Sequence, residues 1–479
     1  MNKVLQPSLA LLCCALLGAC AVGPDYRRPE VTVPASFKEA RDWQVAQPAD
    51  GAPRGPWWRA FGDEELDRLQ DAAANANLDV VVAEARYRQA IGAVDQSRAA
   101  LFPTLSASAG LTRSANATSG LKLPPATLDL ASISASWVPD LWGGIRRGLE
   151  ASEANAQASQ ADLANALLVL QSTLATDYFS LRVADEQQRL LDEAVQAYQR
   201  SLDLTQSRYR GGVAARTDVA QAQAQLEATK AQAIDVGIVR GQMEHAIAVL
   251  LGKAPAEFSL PKRPFHLVAP PVPAQLPATL LQRRPDVAAS ERLAAAANAQ
   301  IGVAQAAYFP SLTLSASGGY RAPSGADLLS VPYRVWSLGP TLAETLFDAG
   351  ARSGAKAQAV ANYDAVAASY RKTVLSALQN VEDQLLALRL LAQESTVEEA
   401  AVQDAEDTLR LTINQYKAGT VSYLNVIVAQ TTSLTDHITA LNIRSRQLAA
   451  TVQLFAGLGG NWRTDADQDR RGAEPTTRP

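Results

Sequence analysis

The chain has 479 residues, with 44 Lys+Arg against 48 Asp+Glu for a net charge of −4 and a pI near 5.6. That balance excludes a general electrostatic footprint for nucleic acid, and 47% hydrophobic with 19% charged residues excludes a disordered polyampholyte. Only 6% of the residues are aromatic, and an Ala-, Gln-, Ser- and Leu-rich chain of this kind has the composition of long, closely packed helices.

All three cysteines lie at the start: Cys13, Cys14 and Cys20. Lys3 followed by the apolar run Leu9 to Leu17 reads as a secretory leader, because a bilayer-spanning helix needs roughly 20 apolar residues. Leu17-Gly18-Ala19-Cys20 resembles a bacterial lipobox, which implies a signal peptide over 1–19 and lipidation of Cys20. Ala21, in place of Asp, resembles lipoproteins sent on to the outer membrane. The alternative is an ordinary leader with an unrelated cysteine. Cleavage before Cys20 leaves one thiol, too few for an intrachain disulfide or a cysteine metal site. Residues 20–62 are expected to be an extended periplasmic segment.

Proline marks the boundaries beyond it, since it is tolerated poorly inside helices and central strands. Residues 140–254 and 341–474 contain none, whereas 255–285 hold eight prolines from Pro255 to Pro285 and read as a connector between two halves, 63–254 and 286–463. Matching motifs expose a duplication. Leu101-Phe102-Pro103-Thr104-Leu105 answers Tyr308-Phe309-Pro310-Ser311-Leu312, Tyr209-Arg210-Gly211-Gly212 answers Tyr416-Lys417-Ala418-Gly419, and Leu251-Gly252 answers Leu458-Gly459. Each second copy lies 207 positions after the first, and one offset kept across three separated motifs marks an internal repeat.

The apolar period changes in the same order in each half. It predicts a helix over 63–101, strands over 104–113 and 130–138, a long helix over 144–210 and a return helix over 213–251. The second half repeats this with a helix over 286–307, strands over 311–320 and 333–342, and helices over 350–417 and 421–457. Leu163, Leu167, Leu170, Leu174, Tyr178 and Leu181 step at coiled-coil spacing, as do Tyr370, Val374, Leu378, Val381, Leu385 and Leu388. At 1.5 Å per residue the first long helix extends roughly 100 Å. The tail, 464–479, is polar and expected to be disordered.

Along the strands Leu312, Leu314 and Ala316 alternate with Ser311, Thr313, Ser315 and Ser317, and Ile133, Ala135 and Trp137 alternate with Ser132, Ser134 and Ser136. A period of two suits a half-buried hairpin in a soluble domain or a wall with lipid on one side and water on the other. Two equivalent hairpins in an exported, lipidated chain favour the wall. Four strands cannot close a bacterial barrel, two chains would give eight with a filled interior, and three would give twelve with a lumen. The expected fold is therefore mixed α and β, mainly α: a homotrimer with a 12-stranded outer-membrane β-barrel continued by a periplasmic α-helical barrel.

Chemistry is sparse. His245, His266 and His437 are too far apart for a local metal motif, no HExxH, GxSxG or Walker pattern occurs, and Ser353-Gly354-Ala355-Lys356 opens a helix. No catalytic constellation, cofactor or metal site is expected. The candidate features are the hairpin tips, where Gly211, Gly212 and Gly419 let the chain reverse. Around them lie Arg208, Tyr209, Arg210, Val213, Arg216 and Asp218, and in the second half Tyr416, Lys417, Ala418, Thr420, Tyr423 and Asn425. Such residues serve either as a solvated turn or, repeated about a threefold axis, as a ring; a ring of Asp218 could bind cations, repel anions or link adjacent helices as a latch.

These residues resemble the TolC-like outer-membrane efflux proteins, in particular the NodT-type lipoproteins of RND pumps. Cys20-Ala21-Val22-Gly23-Pro24-Asp25-Tyr26, Trp57-Trp58-Arg59-Ala60-Phe61-Gly62-Asp63, Leu281-Gln282-Arg283-Arg284-Pro285-Asp286-Val287, Gly302-Val303-Ala304 and the paired Phe-Pro motifs carry the likeness. It implies a homotrimer in the outer-membrane lipid, docked through the tips (Gly211, Gly212, Val213, Ala418, Gly419 and Thr420) to a periplasmic adaptor and an inner-membrane RND transporter. It also implies an inner closure held by tip residues, which Tyr209, Asp218 and Tyr416 match. The chain departs from the family at Asn425 and Val428, where members often carry aspartates. The leading expectation is a passive exit duct for small toxic compounds or drugs. The alternatives are a duct for metal efflux or protein secretion and a lipid-anchored coiled-coil scaffold without a pore.

Overall fold

The computed structural model describes residues 21–31, 38–40, 56–115, 117–118, 121–122, 125–264, 269–270, 284–323, 326 and 328–460. The expected lipidation residue Cys20, the expected leader, the polar tail and much of the Pro-rich connector lie outside them. Seven α-helices occur among the described residues: α1 (Glu64–Ala76), α2 (Leu78–Ala99), α3 (Gly144–Arg210), α4 (Arg216–Leu250), α5 (Pro285–Ala306), α6 (Ala351–Ala418) and α7 (Tyr423–Gly457). The strands are β1 (Thr104–Ser114), β2 (Ala117–Thr118), β3 (Leu121–Lys122), β4 (Ala126–Trp137), β5 (Ser311–Pro323) and β6 (Arg334–Ala343). Among the described residues no helix is long and apolar enough to cross a membrane.

Two details depart from the sequence reading. The helix expected over 63–101 is two helices, because Asn77 is extended (φ −69°, ψ 129°) and turns its side chain into a cap. Its Oδ1 accepts from the backbone N–H groups of Asp79 and Val80 at 2.9 and 3.1 Å, and its Nδ2 donates to Leu250 O at 3.0 Å. The segment expected to be extended before residue 63 contains 3₁₀ turns at Lys38–Ala40 and Trp57–Phe61.

The chain divides into two compact units, each drawing on both halves of the duplication. The first contains the sheet β1-β4-β5-β6, antiparallel throughout, with β1 and β6 as its edges. Its register carries the period of two across all four strands. Ser106, Ser134, Ser317 and Ser337 form one row on the hydroxyl face; Leu105, Ala135, Ala316 and Leu338 form the adjacent row on the apolar face. The Ser106–Ser134, Ser108–Ser132 and Ser317–Ser337 hydroxyls lie 2.9 Å apart. On the other face Leu105, Ile133, Trp336, Leu338 and Leu342 are all exposed.

Residues 21–30 bind along the helices of this unit. Val22 N–H donates to Trp142 O at 3.0 Å, the Arg147 guanidinium pairs with Asp25 at 2.8 Å, and Asn298 Nδ2 donates to Pro24 O at 2.9 Å. Gly23 has φ +109°, and a Cβ there would stand 2.5 Å from Gly302 Cα, so both glycines are demanded by the close approach.

In the second unit the few aromatics are concentrated rather than dispersed. Trp57, Trp58 and Phe61 are buried with Leu66, Leu174, Phe179, Ile247, Leu448 and Val452. The Trp57 ring stacks on Phe455 at 5.9 Å and Phe61 meets Phe179 at 4.8 Å. Asp63 caps α1 by accepting from Glu65 and Leu66 N–H, and its second oxygen accepts from the buried Tyr178 hydroxyl at 2.6 Å. Burial, reinforced by that carboxylate, pushes the Tyr178 phenol well above its ordinary pKa. Arg182, Asp185, Arg240 and Glu244 form a largely buried ion-pair chain that also binds the Leu260 and Pro261 carbonyls, fixing the start of the connector.

Candidate functional site

The candidate site is the pair of hairpin ends in the second unit. Both long helices stop in the same way. Gly212 (φ +74°) follows α3, with Gly212 N–H donating to Tyr209 O and Val213 N–H to Arg208 O; Gly419 (φ +79°) follows α6, with Gly419 N–H donating to Tyr416 O and Thr420 N–H to Gln415 O. These are paired Schellman endings, in which a left-handed residue lets the chain leave while satisfying the last carbonyls. Gly211, Gly212, Val213, Ala418, Gly419 and Thr420 are all exposed there.

The helices that leave the tips start with different chemistry. Ala215 lacks an acceptor side chain, so only the reciprocal half of a capping box forms: the Asp218 carboxylate accepts Ala215 N–H at 3.3 Å. At the corresponding position of α7, Ser422 Oγ donates to Asn425 Oδ1 at 3.2 Å. Asp218 is half-buried and Asn425 is exposed.

The structure separates the two equivalent tyrosines. Tyr209 is 45% exposed, whereas Tyr416 is 4% exposed and packs with Tyr198, Leu202, Ala222, Leu226, Tyr423 and Val426. The Tyr416 and Tyr423 rings meet edge-on at 5.3 Å, and Tyr416 Oη donates to Thr205 Oγ1 at a long 3.4 Å. The Arg208 guanidinium lies 4.8 Å from the Tyr416 ring centroid and donates to Lys417 O at 3.0 Å. Deeper in the hairpins, Tyr198 Oη donates to Gln430 O at 3.0 Å, and Gln430 Nε2 donates to Ser201 Oγ at 2.9 Å. Burial pushes the Tyr198 phenol up to about 12. Burial, then Tyr416, Tyr198 and Asp218, do the same for Tyr423, also to about 12. The candidates therefore fall into two sets: Tyr416 joins one hairpin to the other within the chain, while Tyr209, Asp218 and Asn425 line its periphery.

Sequence reasoning did not single out Thr205, Gln430 or the part played by Arg208. Leu191, Val195, Tyr198 and Leu202 continue the coiled-coil step of the first long helix and so signal a buried seam, but nothing local says that a polar glutamine crosses it. Above the tips a cavity of about 1000 Å³ opens between α3, α6 and α7, with Glu186, Arg189, Glu399, Arg444 and the Glu406–His437 pair (2.8 Å) on its walls. Among the described residues no group of three His, Cys, Asp or Glu side chains could hold a metal ion.

A duplicated chain with a two-faced antiparallel sheet and two long helical hairpins defines the TolC-like class of channel folds. The chain belongs to the outer membrane efflux protein family, which matches residues 69–253 and again 276–460, with the same displacement of 207. It is 32% identical over 464 residues to the pyoverdine export outer membrane protein OpmQ of Pseudomonas aeruginosa, covering 94% of this chain and 96% of that one. The antibiotic efflux pump outer membrane protein ArpC of Pseudomonas putida is 29% identical over 472 residues, covering 96% and 97%. The solved structure of the outer-membrane channel OprN superposes with a TM-score of 0.85 at 29% identity, over 92% of this chain and 99% of that one. Members of this family are channel proteins, and the chain is accordingly an outer-membrane efflux component.

Proposed function

We propose that three copies of this chain form the exit duct of a tripartite efflux pump, passing small toxic compounds or drugs across the periplasm and outer membrane without chemistry of its own. The observation that carries this reading is the sheet: over the rows nearest the helices its four strands present serine and threonine on one face and apolar side chains on the other, and its two edges, β1 and β6, have no partner strand among the described residues. Unpaired edges at membrane depth are costly, and closure of β6 on β1 of the next copy removes them. Three copies give twelve strands with the serine rows facing a lumen. The names of OpmQ and ArpC, an exporter and a pump component, support the cargo class and an energy source elsewhere.

In this reading Cys20 carries the lipid anchor, and the contacts of residues 21–30 fix the chain just beyond it. The tips form the inner closure: Arg208 and Tyr416 hold the two hairpins of one copy together, while Tyr209, Asp218 and Asn425 face neighbouring copies or the lumen. The exposed glycine turns at 211–213 and 418–420 receive a periplasmic adaptor, which links the duct to a proton-driven RND transporter. Planar-bilayer recording of the purified protein, with its mass in detergent, tests this. Discrete conductance from a trimer is expected; a trimer or monomer that inserts without conducting would leave a scaffold.

A further inference from the structure

The apolar face of the sheet is not evenly filled. A hollow of about 610 Å³ is lined by three consecutive residues of each strand: 107–109, 131–133, 318–320 and 334–336. The register decides which face it occupies. Ala107, Ile133, Gly318 and Trp336 form one row and Ala109, Ala131, Tyr320 and Arg334 the next row on the same face, with only backbone of the row between as floor. Both flanking rows belong to the apolar face, so the hollow opens on that face and away from the serine rows. Ala107, Ala109, Ala131 and Gly318 leave the space open, and its walls are Ile133, the Trp336 and Tyr320 rings and the Arg334 side chain.

Arg334 is the feature that lipid contact alone does not explain. It is exposed, lies at the first residue of β6, and its guanidinium has no ion-pair or hydrogen-bond partner among the described residues, while its backbone N–H donates to Val331 O. Arg113 lies farther out on the same face and is likewise unpaired, while Asp129, between them in depth, has one carboxylate oxygen with no partner. These charges sit at the end of the sheet remote from where β6 leads into α6. In the orientation proposed above, on which this inference rests, that end meets the outer leaflet. An unpaired guanidinium above an apolar, aromatic-walled hollow complements an amphiphile with an anionic head and an acyl chain.

We infer that the hollow is a binding site for a phosphorylated outer-leaflet lipid, one acyl chain lying over Ala131 and Gly318 between Trp336 and Tyr320 and a phosphate on Arg334. The test uses the full-length protein assembled in phosphatidylcholine nanodiscs and offered bisphosphorylated lipid A or its dephosphorylated form, with bound lipid counted by native mass spectrometry. Lipid A should be retained about tenfold or more over the dephosphorylated form, and Arg334→Gln should remove that preference. Ala131→Leu, which fills the hollow, should lower retention of both forms while conductance persists. Equal retention of the two forms, unchanged retention in both variants, or full displacement of lipid A by millimolar inorganic phosphate would overturn the site. Conductance recorded on the same preparations separates the two readings: conducting protein without lipid preference loses only this inference, whereas wild-type protein that does not conduct loses the duct itself.

Discussion

If Arg208 and Tyr416 tie the two hairpins of one copy together, loosening that tie should favour the open state in proportion to its strength. Tyr416 is 4% exposed, and its hydroxyl bond to Thr205 is long at 3.4 Å. Tyr416→Phe should therefore cost no more than about 1 kcal/mol, whereas Tyr416→Ala opens a cavity and should cost about 3–5 kcal/mol. Arg208→Ala removes a guanidinium 4.8 Å from the ring together with a bond to Lys417 O, of which the ring contact contributes about 0.5–2 kcal/mol. Expressed as a shift between closed and open populations, that share is roughly a 2- to 30-fold rise in the open:closed ratio, because about 1.4 kcal/mol is a factor of ten. Single-channel recording of the three variants and of the Arg208→Ala/Tyr416→Ala double mutant measures it. The double mutant should fall short of the sum of the singles by the ring contact. Additive effects, or Tyr416→Phe opening the channel as much as Tyr416→Ala, would refute the tie.

Asp218→Asn keeps an acceptor for Ala215 N–H but removes the charge, so a change in conductance or cation selectivity in this variant assigns the carboxylate to the closure; unchanged single-channel behaviour removes it. Gly212→Ala and Gly419→Ala force left-handed residues (φ +74° and +79°) to carry a Cβ and should each destabilise the tips by about 1–2 kcal/mol, seen as faster amide exchange confined to the turns. Tyr178→Phe deletes a 2.6 Å bond to the Asp63 carboxylate and should cost about 1.5–3 kcal/mol in denaturant unfolding. Tyr423, raised from 10.0 to about 12 by burial first, holds its proton in the folded state after the unfolded chain has lost it. Its contribution is therefore complete below pH 10 and declines as pH rises to 12, at about 1.4 kcal/mol per pH unit. Tyr423→Phe should flatten that decline.

The strands were readable because their period of two is explicit: Ser132, Ser134 and Ser136 against Ile133, Ala135 and Trp137 set the hydroxyl rows of neighbouring strands together on one face. The long helices were readable from proline-free heptads, and their ends from glycines 207 positions apart. Asn77 was not, because one asparagine in an apolar-periodic stretch fits a helix interior or a cap, and only the docking of its Nδ2 on Leu250 O selects the cap. The tip cluster was half readable. Tyr209, Asp218, Tyr416 and Asn425 could be placed at the turns by position, yet their division into a buried tie and a peripheral set depends on how the second hairpin packs on the first.

That division follows from where the duplication has been broken. Exact repeats would give Tyr209 and Tyr416 the same surroundings, and two identical tips could not each be buried against the other. At the paired positions Arg216 and Tyr423, one copy carries an exposed cation and the other a buried ring against Tyr416. At Arg208 and Gln415 only the first copy has a charge to lay over a partner's ring. One hairpin thus supplies Arg208 and the other the aromatic pair that receives it, which fixes the register of the two within a chain. The same substitutions leave Asp218 without an acidic counterpart at Asn425. If three copies assemble as proposed, they carry three such carboxylates, one from each first hairpin, and no acidic counterpart at Asn425.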